Sequence, residues 1–427
     1  MNAMTKIRMA AFAATVLTPF AAVAQDVELT YLTHWAPDTV KLLEEAASAY
    51  SEQNPGVTIS VRAVPFGDLL TTIRSGGSGD GPTIASIYDL WLPELVRDGL
   101  VAPAPDAVSG EVTSEWPEGI AAAAAVDGQI YGIPNEINVY ALNYNKAMFE
   151  EAGISAPPTT WADLQDTAAK LSADGKQGFG LINSWAAGVV HPFASLLASN
   201  GGALIADGKP QLDSQQALET FELYETMVKE GYTDPAMGTS DANTTGPFLD
   251  NFVSGNTGMI IMANWWESAL RAGMGDDFAN IGTAPIPVGP SGDTARSISY
   301  SWMTVVNAGA EDSEQVAAWD FLQWLDGPDS GENGASAMAG ILQSMGILPS
   351  RTSDVAAYEE ALGRPFLEGY VSSLENARAF PVVLGGQEFS DALQQVIEQL
   401  EYGQISAQEA QQNAQADAES ILERAQR

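Results

Sequence analysis

The chain contains no cysteine and only two histidines, His34 and His191. The first absence excludes a disulfide framework and thiolate metal ligation, and it leaves no cysteine behind a leader to carry a lipid anchor. The second leaves little for general acid-base work, and no H-E-x-x-H, G-x-S-x-G or Walker loop supplies a catalytic constellation. Basic residues are scarce too: 18 Lys and Arg stand against 55 Asp and Glu, a net charge of −37. Such a field repels nucleic acid and anionic membrane surfaces. Among so many acids, a carboxylate pair such as Asp276-Asp277 carries no weight as glycosidase chemistry. No apolar run reaches the roughly 20 residues that a membrane-spanning helix needs.

What is present begins with a leader. Lys6 and Arg8 precede an apolar run from Met9 to Leu17, and Ala22-Val23-Ala24 forms an A-x-A cleavage site, so a secretory signal over residues 1–24 is expected. Its removal takes away two basic and no acidic residues, leaving a net charge of −39 from Gln25 onward. This fits a freely diffusing, monomeric periplasmic protein. At 427 residues the chain is too long for one ordinary core, and at least two domains are expected.

The first hundred residues read as α/β. Val27, Leu29 and Tyr31 alternate as a strand, and Val40, Leu43, Ala47 and Tyr50 share a helix face that Asn54-Pro55-Gly56 ends. Val57 to Ala63 alternates again, Leu69, Leu70 and Ile73 open a second helix, and Thr83 to Tyr88 is a third strand. This order predicts a mostly parallel sheet flanked by helices. The loop Gly76 to Gly81 follows a helix and opens a strand, the reverse of a phosphate-binding loop. Ligands of open α/β sheets lie outside the carboxyl ends of strands, here His34-Trp35 and Tyr88-Asp89.

The stretch Asp127 to Ala152 organises the remainder, as a strand that leaves one globular unit and enters another before a helix capped by Asn145. Asn135, Glu136 and Asn138 interrupt its two apolar runs. Further along, Thr160 with Asp163 and Ser406 with Glu409 form capping boxes. A strand at Phe179 to Ile182 precedes a helix expected from Phe193, Gly258 to Met262 is a strand, and Ser299 to Val306 is another with two aromatics at its start. Asp241-Ala242-Asn243 lacks the glutamate a calcium loop requires at its twelfth position and reads as a plain loop. No metal site or cofactor is expected.

Five segments, in order, resemble the solute-binding proteins of ABC importers, specifically the carbohydrate-binding family that includes maltose-binding protein. They are Asp127 to Leu164, Asn200 to Tyr232, Phe252 to Leu270, Gly346 to Arg351 (GILPSR) and Ala377 to Gln395. The resemblance implies a periplasmic binding protein fold of two α/β lobes on a multi-crossing hinge. Lobe 1 would comprise residues 25–138 and 286–326, and lobe 2 residues 139–285 and 327–427. The chain would cross near Asn138 to Tyr140, near Ala284 to Pro287 and near Gly327. Thr83 and Phe380 depart from the family's usual aspartate and arginine.

A sugar presents hydroxyls that need directional partners and C–H faces that lie well on aromatic rings. The candidate contacts are therefore His34, Trp35, Asp89, Tyr300 and Trp302 from lobe 1, Trp185, Trp265, Trp266, Arg351 and Arg378 from lobe 2, and Asn138 and Tyr140 at the hinge. Adjacent tryptophans on a strand end point to opposite sides, and family position favours Trp265 over Trp266. Trp161, Trp319 and Trp324 sit at helical positions and are expected in the core. The expected role is capture of a sugar or small oligosaccharide, a neutral disaccharide or glucoside first, and its delivery to a membrane permease. A secreted carbohydrate-active enzyme, a surface adhesin and a receptor for an anionic sugar are the alternatives.

Overall fold

The computed structural model describes residues 26–76, 81–173, 175–241, 245–328 and 330–427. The leader, and the centres of the glycine loop and of the Asp241 loop, lie outside them. Ten strands share one hydrogen-bonded sheet: β1 (Val27–Thr33), β2 (Val57–Ala63), β3 (Ile84–Tyr88), β4 (Gly132–Asn145), β5 (Gln177–Gly180), β6 (Thr257–Ala263), β7 (Ile281–Ala284), β8 (Ile298–Val306), β9 (Leu348–Pro349) and β10 (Arg378–Ala379). The strand order is β2-β1-β3-β8-β4-β6-β5, with β7 and β9 also on β4 and β10 on β8.

The class is α/β, as the β-α-β-α-β opening predicts, and β1 runs parallel to both β2 and β3. The sheet is nevertheless mixed. β8 is antiparallel to β3 and β4, and β6 and β7 are antiparallel to β4. The parallel expectation came from local crossover units, whereas β4 and β8 reach their places from distant parts of the chain and need no crossover helix.

β4 is the pivot of this arrangement. From Gly132 to Val139 it pairs with β8, and from Tyr140 to Asn145 it pairs with β6 and β7. Both faces of its second half are buried. Tyr140 and Leu142 join one apolar core while Val139 and Ala141 join another, and in β6 the same alternation sends Met259 and Ile261 one way and Ile260 and Met262 the other.

Helix Pro37–Gln53 covers β2, and helix Asp312–Leu325 packs beside it over β1. Helices Ala186–Ser199, Gln215–Lys229, Gly386–Glu401 and Ala407–Ala425 pack on one another. The helix expected from Phe193 begins at Ala186 and runs straight through Pro192. Every residue from Gly188 to Ser199 is buried, so tertiary packing outweighs the local cost of proline inside the helix. The caps are as the sequence predicts: Asn145 Oδ1 accepts from the amides of Ala147 and Met148, and both capping boxes are closed. Trp161 and Trp319 are buried, and Trp324 is half-buried against Phe321. Thr83 Oγ1 accepts from the Thr30 amide, a structural use of that departure from the family pattern.

Candidate functional site

A cavity of about 280 Å³ opens at the carboxyl ends of β1 and β3. Because β8 is antiparallel to β3, its first residues lie at that same edge. The register then sets the floor. Tyr88, Trp302 and Glu136 are direct neighbours on three adjacent strands, and Tyr300 is opposite Asn138. Directly opposed residues share a face, as do residues two apart on one strand, so all five side chains stand on one side of the sheet. The loop after β1 adds His34, Trp35 and Ala36, and Phe66 comes from the start of helix Phe66–Ser75.

The opposite wall comes from beyond the pivot. Trp185 precedes helix Ala186–Ser199, from which Ala187 and His191, one turn apart, face the cavity. Trp265 lies in the short turn Asn264–Trp266 that ends β6. Met345 and Ile347 flank Gly346, whose φ is +80° and whose hydrogen faces Glu267 so closely that a Cβ would sit 2.7 Å from that side chain.

The rings are fixed by one another. His34 stacks on Trp302 with centroids 4.3 Å apart, and Phe66, Tyr88 and Trp91 pack around the same indole. Trp265 meets Trp185 edge to face and donates its Nε1–H to Tyr300 Oη at 2.7 Å. His191 Nε2 and Nδ1 lie 2.9 Å and 3.0 Å from the hydroxyls of Tyr88 and Tyr140. Phe380 packs on the same imidazole at 4.6 Å.

Several buried polar atoms have no protein partner. Glu136 Oε1 accepts from Asn138 Nδ2 at 2.9 Å, while Glu136 Oε2, Asn138 Oδ1 and His34 Nδ1 are unpaired. Asp89 Oδ2 accepts from the Ser301 amide at 2.7 Å and its Oδ1 is unpaired. Loss of hydration raises the carboxyls of Glu136 and Asp89 to about 7 each, with the charge of Asp89 adding to the effect on Glu136. The same cause lowers His34 to about 4 and His191 to about 3, so both imidazoles are neutral at pH 7. Unpaired buried acceptors are costly, and a ligand with hydroxyl or amino donors would satisfy them. Among the described residues no group of three or more His, Asp or Glu is placed to hold a metal ion.

Of the residues singled out from sequence, His34, Trp35, Asn138, Trp185, Trp265, Tyr300 and Trp302 come together in the lining, and five do not. Asp89 is buried outside the lining, where it accepts from the Ser301 amide. Tyr140 is fully buried behind His191. Trp266 is fully buried, edge to face on Phe248 and on the neighbouring Trp265, and does not reach the lining. Arg351 is buried with its guanidinium 3.1 Å from Glu111 and 3.9 Å from Glu115, and it donates to the Asp326 carbonyl. Arg378 donates to the Gly202 carbonyl at 2.9 Å. Both arginines are thus committed to holding loops. Sequence reasoning missed Phe66, Glu136, His191, Met345 and Ile347, and marked Tyr88 only as a strand end where a ligand could lie. The spacing of two between Glu136 and Asn138 was a usable signal, whereas nothing local marks Phe66 or His191.

Residues 36–332 match the family described as bacterial extracellular solute-binding protein. A putative binding protein of Brucella abortus (strain 2308) is 28% identical over 406 residues, 94% of each chain. The maltotriose-binding protein of Pyrococcus abyssi (strain GE5 / Orsay) is 22% identical over 353 residues, 81% of this chain and 71% of that one. Among solved structures, the GacH receptor of Streptomyces glaucescens GLA.O, described unliganded and with acarbose, superposes with a TM-score of 0.80 at 20% identity, covering 93% of this chain and 99% of that one.

Proposed function

Because the chain belongs to the bacterial extracellular solute-binding protein family, we propose that it is the exported receptor of an ABC importer for a sugar or small oligosaccharide. It binds its ligand without altering it and hands it to a membrane permease. The observation that carries this reading is the cavity itself, where indoles surround Glu136 and Asn138, each with a buried oxygen that has no protein partner. Rings receive the C–H faces of a sugar and the free acceptors take its hydroxyl protons. The relatives named above for maltotriose and acarbose binding support the same ligand class. Its volume suits a ligand of one or two rings better than a long chain.

On this reading the partner change between Val139 and Tyr140 is a hinge, and the cavity is the cleft between lobes of residues 25–138 with 286–326 and 139–285 with 327–427. The last segment also contributes β9 and β10 to the strands of the first lobe, which ties the two together. Ligand shifts an open–closed balance only through its better contacts in the closed form, so contacts from both walls are required. Among the described residues no Lys or Arg lines the cavity, which weighs against an anionic sugar.

A thermal-shift screen against neutral, amino and acidic sugars tests the reading. A ligand at 100 times its Kd stabilises by about 2.7 kcal/mol. Absence of a shift with every sugar sinks the proposal, and hydrolysis of a glycoside by the pure protein replaces it with an enzyme.

A further inference from the structure

The charge of the cavity narrows the ligand further than its shape. Glu136 is the one Asp, Glu, Lys or Arg among its lining residues, and it is 4% exposed. Among the described residues Asn138 alone donates to it from a side chain, and the nearby charge acting on it is a second carboxylate, Asp89. Arg351, close in sequence to the strand beside Glu136, is occupied by Glu111, Glu115 and the Asp326 carbonyl. A buried ionised carboxyl without a cation is a costly arrangement, relieved either by taking up a proton or by a ligand that supplies the positive charge.

The other unpaired groups agree. Glu136 Oε2, Asn138 Oδ1 and Asp89 Oδ1 are all buried acceptors without a protein donor, and Glu136 and Asn138 are joined through the other oxygen of the carboxylate. An ammonium group has three N–H donors and no acceptor, and it matches such a set better than a hydroxyl, which brings lone pairs as well. The walls are also suited to a cation. Trp35, Phe66, Trp185, Trp265 and Trp302 present π faces or edges around the same space, and a ring face attracts positive charge as readily as it receives a sugar's C–H groups.

Resting on the sugar-receptor reading above, we propose that the ligand is an amino sugar, free or in a small oligosaccharide, whose ammonium group sits against Glu136. The aromatic walls take the ring and Glu136 sets the preference for the charged amine over a hydroxyl.

Calorimetry on the purified protein at pH 7.5 tests this with matched pairs: glucosamine and glucose, galactosamine and galactose, mannosamine and mannose, and the disaccharide of β-1,4-glucosamine with cellobiose. N-acetylglucosamine and choline complete the panel. At least one amino sugar is expected to bind tenfold or more tightly than its hydroxyl counterpart. Glu136→Gln, isosteric and still able to accept from Asn138, is expected to erase that advantage. N-acetylation removes the charge and gives the same loss in the unmodified protein, whether or not the variant folds. A hydroxyl sugar that binds as tightly as its amine overturns the proposal and leaves the sugar-receptor reading standing. Choline binding with no sugar binding overturns both. An amine advantage that survives Glu136→Gln in a folded protein, or no binding by any amino sugar, overturns the proposal.

Discussion

The imidazole of His191 is clamped between two tyrosine hydroxyls, Tyr88 at Nε2 and Tyr140 at Nδ1, at 2.9 Å and 3.0 Å. One ring nitrogen donates to a phenolic oxygen and the other accepts from a phenolic O–H. Tyr88 ends β3 and His191 lies on helix Ala186–Ser199, so the clamp joins the two walls of the cavity. Under the hinge proposal the bond to Tyr88 exists only when the walls meet. Tyr88→Phe is therefore expected to favour the open form and to weaken ligand binding by about 0.5–1.5 kcal/mol, roughly 2- to 10-fold. Calorimetry with small-angle scattering checks it, since a larger radius without ligand should accompany the loss.

Trp265→Ala should weaken binding by about 1–3 kcal/mol, on the order of 10- to 100-fold, with a modest change in melting temperature. Trp302→Ala should weaken it as much and also lower the melting temperature, because His34, Phe66, Tyr88 and Trp91 pack on that indole. Trp161→Ala should cost stability alone. Normal binding by both cavity variants would show that the ligand sits elsewhere.

Removing Arg351 should cost stability and not affinity. Its guanidinium holds Glu111, Glu115 and the Asp326 carbonyl and lies over Trp116. Because Glu111 and Glu115 are partly exposed, the loss should fall below the roughly 3–5 kcal/mol of a fully buried pair. Denaturant unfolding of Arg351→Met, with ligand affinity measured on the folded fraction, distinguishes this from the direct contact that the sequence suggested.

The apo protein should gain stability as pH falls from 8 to 6.5. Glu136 and Asp89 have folded-state values of about 7, above their unfolded values, so each stabilises fully below about pH 4 and loses that contribution as pH rises through 7. Over this interval the gain is about 1 kcal/mol for each group. Asp326 and Glu401, also raised by burial, act in the same direction. Below pH 6.5 His34 and His191, lowered to about 4 and 3, resist protonation in the folded state and offset further gain. Melting temperature against pH should rise and then level off, and Glu136→Gln should flatten the rise.

The sequence by itself determined the elements whose causes are local. Alternation in Val27–Tyr31 and Val57–Ala63 needs only period-two burial, and the caps at Asn145, Thr160 and Ser406 need only a side-chain oxygen within three residues of the amides it serves. The aromatics just after strand ends, Trp35 and Trp265, were legible because an α/β sheet presents those ends to a ligand, whereas Trp302 lies mid-strand and reaches the same edge through its pairing with Tyr88. Tertiary structure alone decided the rest. Pro192 lies inside a helix because the helix is buried on all sides, a fact carried by its neighbours and not by its own segment. Glu136 faces the cavity because β8 pairs with β4 in a register that sets Trp302 beside it, across a separation of more than 160 residues. Arg351 looked free to meet a ligand until Glu111, remote in sequence, was found against it. Contacts of that kind depend on which strands and helices meet, and local propensity is silent about them.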